Sequence, residues 1–162
     1  MKRALILAVA AGLTVAFALA AQDHQLLAEA NGIEITDGYA ISAGPEARTG
    51  AAYMLITNTT DAPDRLIATE GDAARRIELH QTSLEDGVAR MRKVEGGVAL
   101  APGATVALER GGLHVMMMGL IAPFSEDATI DLTMIFEKAG PIPVSIPVDR
   151  ESPAGAHDGM GH

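Results

Sequence analysis

Arg75-Arg76-Ile77-Glu78-Leu79-His80, then Asp86-Gly87, then Val88-Ala89-Arg90-Met91-Arg92-Lys93-Val94, carries a strand–turn–strand pattern. Ile77 and Leu79 recur with period two, the spacing of residues that share one face of a β-strand, and His80 falls on the other face with Glu78. Asp-Gly marks a turn because glycine reaches positive φ, so the two runs form a hairpin. Met91 follows His80 after ten residues and is carried back towards it across that turn. His80 is therefore not placed as core filling.

The same texture extends in both directions. Short apolar or alternating runs at 32–35, 39–42, 51–58, 65–68, 104–108, 114–118, 129–136 and 144–148 are separated by Asp37-Gly38, Gly44-Pro45, Gly96-Gly97, Pro102-Gly103, Gly111-Gly112 and Gly140-Pro141, residues that favour turns. No run keeps a helical period with caps. Many short strands at this spacing predict an all-β antiparallel sandwich or Greek-key barrel. The length of 162 residues supplies one core and is short for two, so a single domain is expected.

The start and the end of the chain stand apart. Lys2 and Arg3 precede an apolar run from Ala4 to Phe17, and Ala18-Leu19-Ala20 has the small-x-small form that a signal peptidase cuts. Residues 1–20 are read as a signal peptide and 21–149 as the folded domain. The competing reading, an uncleaved anchor, is set against the alanine content and the cleavage pattern. No later run is apolar for long enough to span a bilayer, so the expected location is the periplasm, free of the membrane after cleavage. Residues 150–162, with Pro153, Gly155, Gly159 and Gly161 and no apolar period, read as a flexible tail.

Charge and cysteine content narrow the chemistry. The net charge is −9, and without Lys2 and Arg3 ten basic residues face 21 acidic ones, a net of −11. A chain so acidic, with two Tyr and three Phe, is a poor partner for nucleic acid or anionic membranes. With no cysteine, thiol redox and thiolate ligation are excluded, and methionine must supply the sulfur of any soft-metal site.

His114-Val115-Met116-Met117-Met118 offers such sulfur. In a strand His114, Met116 and Met118 point one way, with His114 and Met116 roughly 6.6 Å apart at Cα, so an imidazole and a thioether reach one ion between them. Two imidazoles and two thioethers form a neutral, soft set suited to Cu(I), whereas Zn(II) recruits thiolate or more nitrogen and Ca(II) needs oxygen. Taken singly, each of these residues is more often packing or surface than ligand, since methionine is a flexible core filler. Met54 and Met134, inside apolar strands, are read as core, and Met117 and Met118 as packing or support.

The joint pattern resembles a known family. His80, ten residues, Met91, twenty-two residues and His114-x-Met116 is similar to the signature of the periplasmic copper chaperones called PCu(A)C. The likeness extends to Ala52-Tyr53-Met54, Asn58, Asp86-Gly87, Met91-Arg92, Pro102-Gly103, Gly111 through Leu120, and Phe136-Glu137-Lys138-Ala139-Gly140. The resemblance implies a cupredoxin-like Greek-key fold, Cu(I) held by His80, Met91, His114 and Met116, and copper delivery to the apo copper subunit of cytochrome c oxidase or to an assembly factor.

Two further candidate metal sites stand at the ends, the alternative for the tail being a solvated segment that binds no metal. His157-Asp158-Gly159-Met160-Gly161-His162 resembles the extensions of some family members, and its donors, His157, Met160 and His162 among them, suit Cu(II). Cleavage after Ala21 would leave Gln22-Asp23-His24, a third-position histidine beside a free amine; cleavage after Ala20 fits the signal rule better and moves His24 to fourth.

A carrier and not an enzyme is expected: four protein ligands leave no open position for substrate, and no nucleophile elbow, Walker loop or HExxH occurs. The alternatives are a copper-sequestering tolerance protein, which keeps the ion, and a metal-free β-sandwich assembly module, which binds none.

Overall fold

A computed structural model describes residues 24–44, 46–125 and 127–149. The leader 1–20, Gln22-Asp23 and the tail 150–162 lie outside the described residues. Among the described residues there are eleven strands and no helix. They are β1 (Leu26–Ala30), β2 (Ile33–Ser42), β3 (Thr49–Asn58), β4 (Asp64–Glu70), β5 (Ala74–Glu85), β6 (Val88–Lys93), β7 (Val98–Leu100), β8 (Thr105–Leu108), β9 (Leu113–Leu120), β10 (Thr129–Phe136) and β11 (Gly140–Pro147).

The strands form two antiparallel sheets. One runs β1-β2-β3-β9-β5-β6, with β8 also paired to β3; the other runs β11-β10-β4-β7. Each sheet buries one face, which the alternation of the sequence dictates. In β10, Ile130, Leu132, Met134 and Phe136 are buried, with Asp131 exposed between the first two and Thr129 exposed before them. In β3, Ala52, Met54 and Ile56 face the same core, and in β9 Val115 and Met117 do. Fully burying one such side chain stabilises the fold by about 1.5–3 kcal/mol. Met54 and Met134 are core residues as expected, 2% and 0% exposed.

The loops are tied by polar groups. Asn58, fully buried, donates through Nδ2 to the Ala62 carbonyl at 2.8 Å and accepts at Oδ1 from the Thr60 hydroxyl at 2.7 Å. Asp64 accepts from the backbone N–H groups of Arg65, Lys138 and Ala139 at 2.7, 2.9 and 2.9 Å. Burial pushes the Asp64 carboxyl up, but these hydrogen bonds outweigh it and hold the group below its ordinary value.

Several expected boundaries need correction. Asp37-Gly38 is not a turn between two strands but a bulge inside the single strand β2, where pairing with β3 shifts between Thr36 and Tyr39. Asp37 takes φ 53 there. Its N–H donates to the Gln25 carbonyl and its carboxylate accepts the Gln25 N–H at 2.7 Å and pairs with the His24 ring. The hairpin turn on that side is Asn31-Gly32, which joins β2 to a first strand that the apolar pattern did not flag. Gly140 opens β11 opposite Phe136, so the strand starts four residues before Val144 and the turn is Glu137-Lys138-Ala139.

Candidate metal centre

Strand β9 lies between β3 and β5, and its register sets the site. His114 is the direct partner of His80 on β5, and Met116 of Glu78; across the other edge Met116 faces Ala51. The alternation read from the sequence holds: Val115 and Met117 point inward, both 0% exposed, and His114, Met116 and Met118 take the opposite face. On β5, Leu79 is buried while His80 and Glu78 share the outer face. One strand further out, the edge strand β6 places Lys93 opposite His80 and Met91 opposite Thr82. Met91 is therefore a diagonal neighbour of His80, a separation of roughly 7–8 Å at Cα that a long side chain spans. The structure thus brings His80, His114 and Met116 onto adjoining positions, and sets Met91, 50% exposed, at the rim of the group on the far side of the histidines from Met116.

His114 is 3% exposed although it belongs to the outer face. Tyr53 of β3 covers it, with ring centres 6.2 Å apart, and Tyr39 of β2 packs on Tyr53 at 5.1 Å. The Arg110 guanidinium lies over both tyrosines, 5.8 and 5.9 Å from their ring centres, a cation–π arrangement. The row Tyr39, Tyr53, His114, His80 crosses four neighbouring strands and closes the site against water from the β3 side. Burial raises the Tyr53 hydroxyl above its ordinary value against the pull of Arg110.

The two imidazoles are each held by one nitrogen. His114 Nδ1 lies 3.1 Å from the Gly112 carbonyl, which only accepts, so this nitrogen carries the proton. His80 Nε2 lies 3.1 Å from a Glu78 carboxylate oxygen. That carboxyl sits below its ordinary range, chiefly through the hydrogen bond from His80, with burial opposing and Lys93 adding to the effect, so it too accepts. The remaining nitrogens, His80 Nδ1 and His114 Nε2, are buried without a hydrogen-bond partner. Each such orphan costs about 1–3 kcal/mol, and here two lone pairs are left on rings 6.1 Å apart, centre to centre. Burial depresses the His114 pKa, against the Gly112 bond and with the charge of His80 adding to the fall, so Nε2 stays unprotonated below the usual imidazole range.

Among the described residues no group of three or more His, Cys, Asp or Glu side chains is placed to hold a metal ion. The histidine pair needs a donor of another kind, and the thioethers are at hand. His24, from the amino-terminal candidate, is exposed and engaged with Asp37, far from this face in sheet order. His157, Met160 and His162 lie outside the described residues. Neither Tyr53 nor Arg110 is marked as part of the site by the sequence, because nothing local ties β3 to β9. Glu78 carried a signal, since it shares the face of His80.

A two-sheet antiparallel β domain of this form is shared with solved structures. One, described as the copper-bound PCuAC domain from PmoF2, is 24% identical with a TM-score of 0.64 and covers 76% of this chain and 97% of that one. Another, the solution structure of CuI-DR1885 from Deinococcus radiodurans, is 26% identical with a TM-score of 0.59, covering 78% and 82%. The class is thus a cupredoxin-like β-sandwich of the PCuAC type. The chain belongs to the LpqE-like family, described as "Putative lipoprotein LpqE-like", whose pattern matches residues 33–148. A relative, "Putative lipoprotein Lxx21020" of Leifsonia xyli subsp. xyli, is 29% identical over 120 residues, 74% of this chain and 71% of its own.

Proposed function

We propose that this protein is a periplasmic copper(I) carrier in which His80, Met91, His114 and Met116 hold the ion and pass it on for assembly of the copper centre of cytochrome c oxidase. The observation that carries this reading is the pair of buried, unpartnered imidazole nitrogens on directly paired residues of β5 and β9. A metal–nitrogen bond is about 2 Å long, so two imidazoles on one ion have ring centres roughly 5 Å apart in a tetrahedral set and about 6 Å apart as the angle opens towards linear; these two stand at 6.1 Å. Neutral nitrogen with neutral sulfur suits a soft monovalent ion. Copper in the names of the two structural neighbours supports the same cargo.

Two imidazoles and two thioethers would leave no open position, which fits carriage rather than catalysis. Met91, half exposed on an edge strand, is the ligand an acceptor reaches first, so exchange begins there. Export rests on the leader read at residues 1–20 and on the word lipoprotein in the names of its family and relative. The tail, with His157, Met160 and His162, is proposed as a second, Cu(II) site; truncation after Arg150 should remove Cu(II) binding, and an unchanged stoichiometry would refute it.

Transfer is the test of function. Cu(I)-loaded protein mixed with the apo copper domain of the oxidase should lose its metal to that domain, and Met91→Ala should not retain enough copper to donate. Retention of the ion in the presence of the acceptor would identify a sequestering protein instead, and no Cu(I) binding above background would identify a metal-free assembly module.

A further inference from the structure

We propose that Glu78 is the positioning residue of the copper site, fixing His80 in the tautomer that presents Nδ1 to the ion. The proposal rests on the copper reading above and adds to it which nitrogen binds and what enforces the choice. An imidazole has two tautomers, and a metal takes the nitrogen without the proton. The second nitrogen of a ligating histidine ordinarily donates to a carboxylate or a carbonyl, which sets ring orientation and basicity. Glu78 occupies that place for His80: it lies two residues back on β5, on the same face, and one carboxylate oxygen is 3.1 Å from Nε2.

Its other oxygen accepts from Lys93 Nζ at 3.2 Å, and Lys93 is the residue directly opposite His80 on β6. The carboxylate is thereby held from both sides. The same logic runs differently at His114, where the Gly112 carbonyl takes the Nδ1 proton. The two rings consequently offer unlike atoms, Nδ1 from His80 and Nε2 from His114, the two that are buried without partners. As a half-exposed surface ion pair Glu78 and Lys93 would be worth little, and that role alone would not fix a tautomer.

The test reads the metal-free protein first. Long-range nitrogen–proton correlation NMR on the exported chain, with labelled histidine, should find His80 protonated at Nε2 and His114 at Nδ1. Glu78→Leu should leave His80 averaging between tautomers and lower Cu(I) affinity about 10- to 100-fold, while Glu78→Gln, whose amide oxygen accepts the same N–H, should restore both. Metal-free wild type with His80 protonated at Nδ1 or averaging, or a Glu78→Leu protein with tautomer and affinity unchanged, would overturn the proposal and leave the copper reading standing. Wild type that binds no Cu(I) would overturn the copper reading, and the proposal with it. The wild-type spectrum needs no variant, so a Glu78→Leu protein that failed to fold would not remove the test.

Discussion

Met116 and Met117 are adjacent in sequence and point to opposite faces of β9. Met117 is fully buried against both sheets, so Met117→Ala should cost about 2–5 kcal/mol in chemical denaturation. Met116→Ala should cost less than about 1 kcal/mol in the metal-free protein, as expected of a partly exposed position, yet weaken Cu(I) retention strongly. Equal losses of stability for the two would mean that both pack in the core. His114 gives a pH dependence whose sign follows from its environment. Burial first, and then the charge of His80, holds its folded pKa below the unfolded value near 6.5. Unfolded chain therefore takes up a proton that folded His114 refuses. Stability of the metal-free domain tied to this residue is complete above about pH 6.5 and is lost as the pH falls through the folded pKa. Unfolding free energies measured from pH 8 to 5 should decline below 6.5 in wild type and less in His114→Phe; parallel curves would contradict this origin.

Strands that alternate cleanly are legible in the sequence. β10 matches its expected bounds, and the β5–β6 hairpin follows from Asp86-Gly87 and the parity of Ile77, Leu79 and His80. β1 and β7 were not legible, because three to five residues with little apolar period carry no signal of their own and are strands only through their partners. Nor was the register His80 to His114 legible: residues 34 positions apart in sequence are aligned by long-range pairing, which local pattern does not encode. The parity of each half of the site could be read, and the meeting of the halves could not. Gly97, which looked like a turn signal alone, has a sharper role. It takes φ +76, and a Cβ there would sit 2.3 Å from the Leu66 carbonyl oxygen, where β7 meets β4. Gly97→Ala should therefore cost about 2 kcal/mol or more, through backbone strain plus that clash. A melting temperature equal to wild type would show that β7 gives way freely.

In the whole molecule, the sandwich holds the histidine pair on the outside of one sheet while the other sheet serves to bury its back. Core and site are therefore separable: inward residues of β3, β5 and β9 stabilise, and outward ones are free to be chosen for chemistry. The acidic chain, net −9, carries Arg75, Arg76, Arg90, Arg92 and Lys93 on the two strands that bear His80 and Met91, and Arg90, Arg92 and Lys93 are ion-paired with Glu85 or Glu78 of the same hairpin. The proposed carrier role requires two neutral imidazoles and neutral sulfur to converge on a single Cu(I). Anaerobic Cu(I) titration followed by X-ray absorption tests it most directly. One ion per domain is expected, with both nitrogen and sulfur scatterers, and that ion should be lost in His114→Ala. Absence of binding, or a bound ion surrounded only by nitrogen and oxygen, would contradict it.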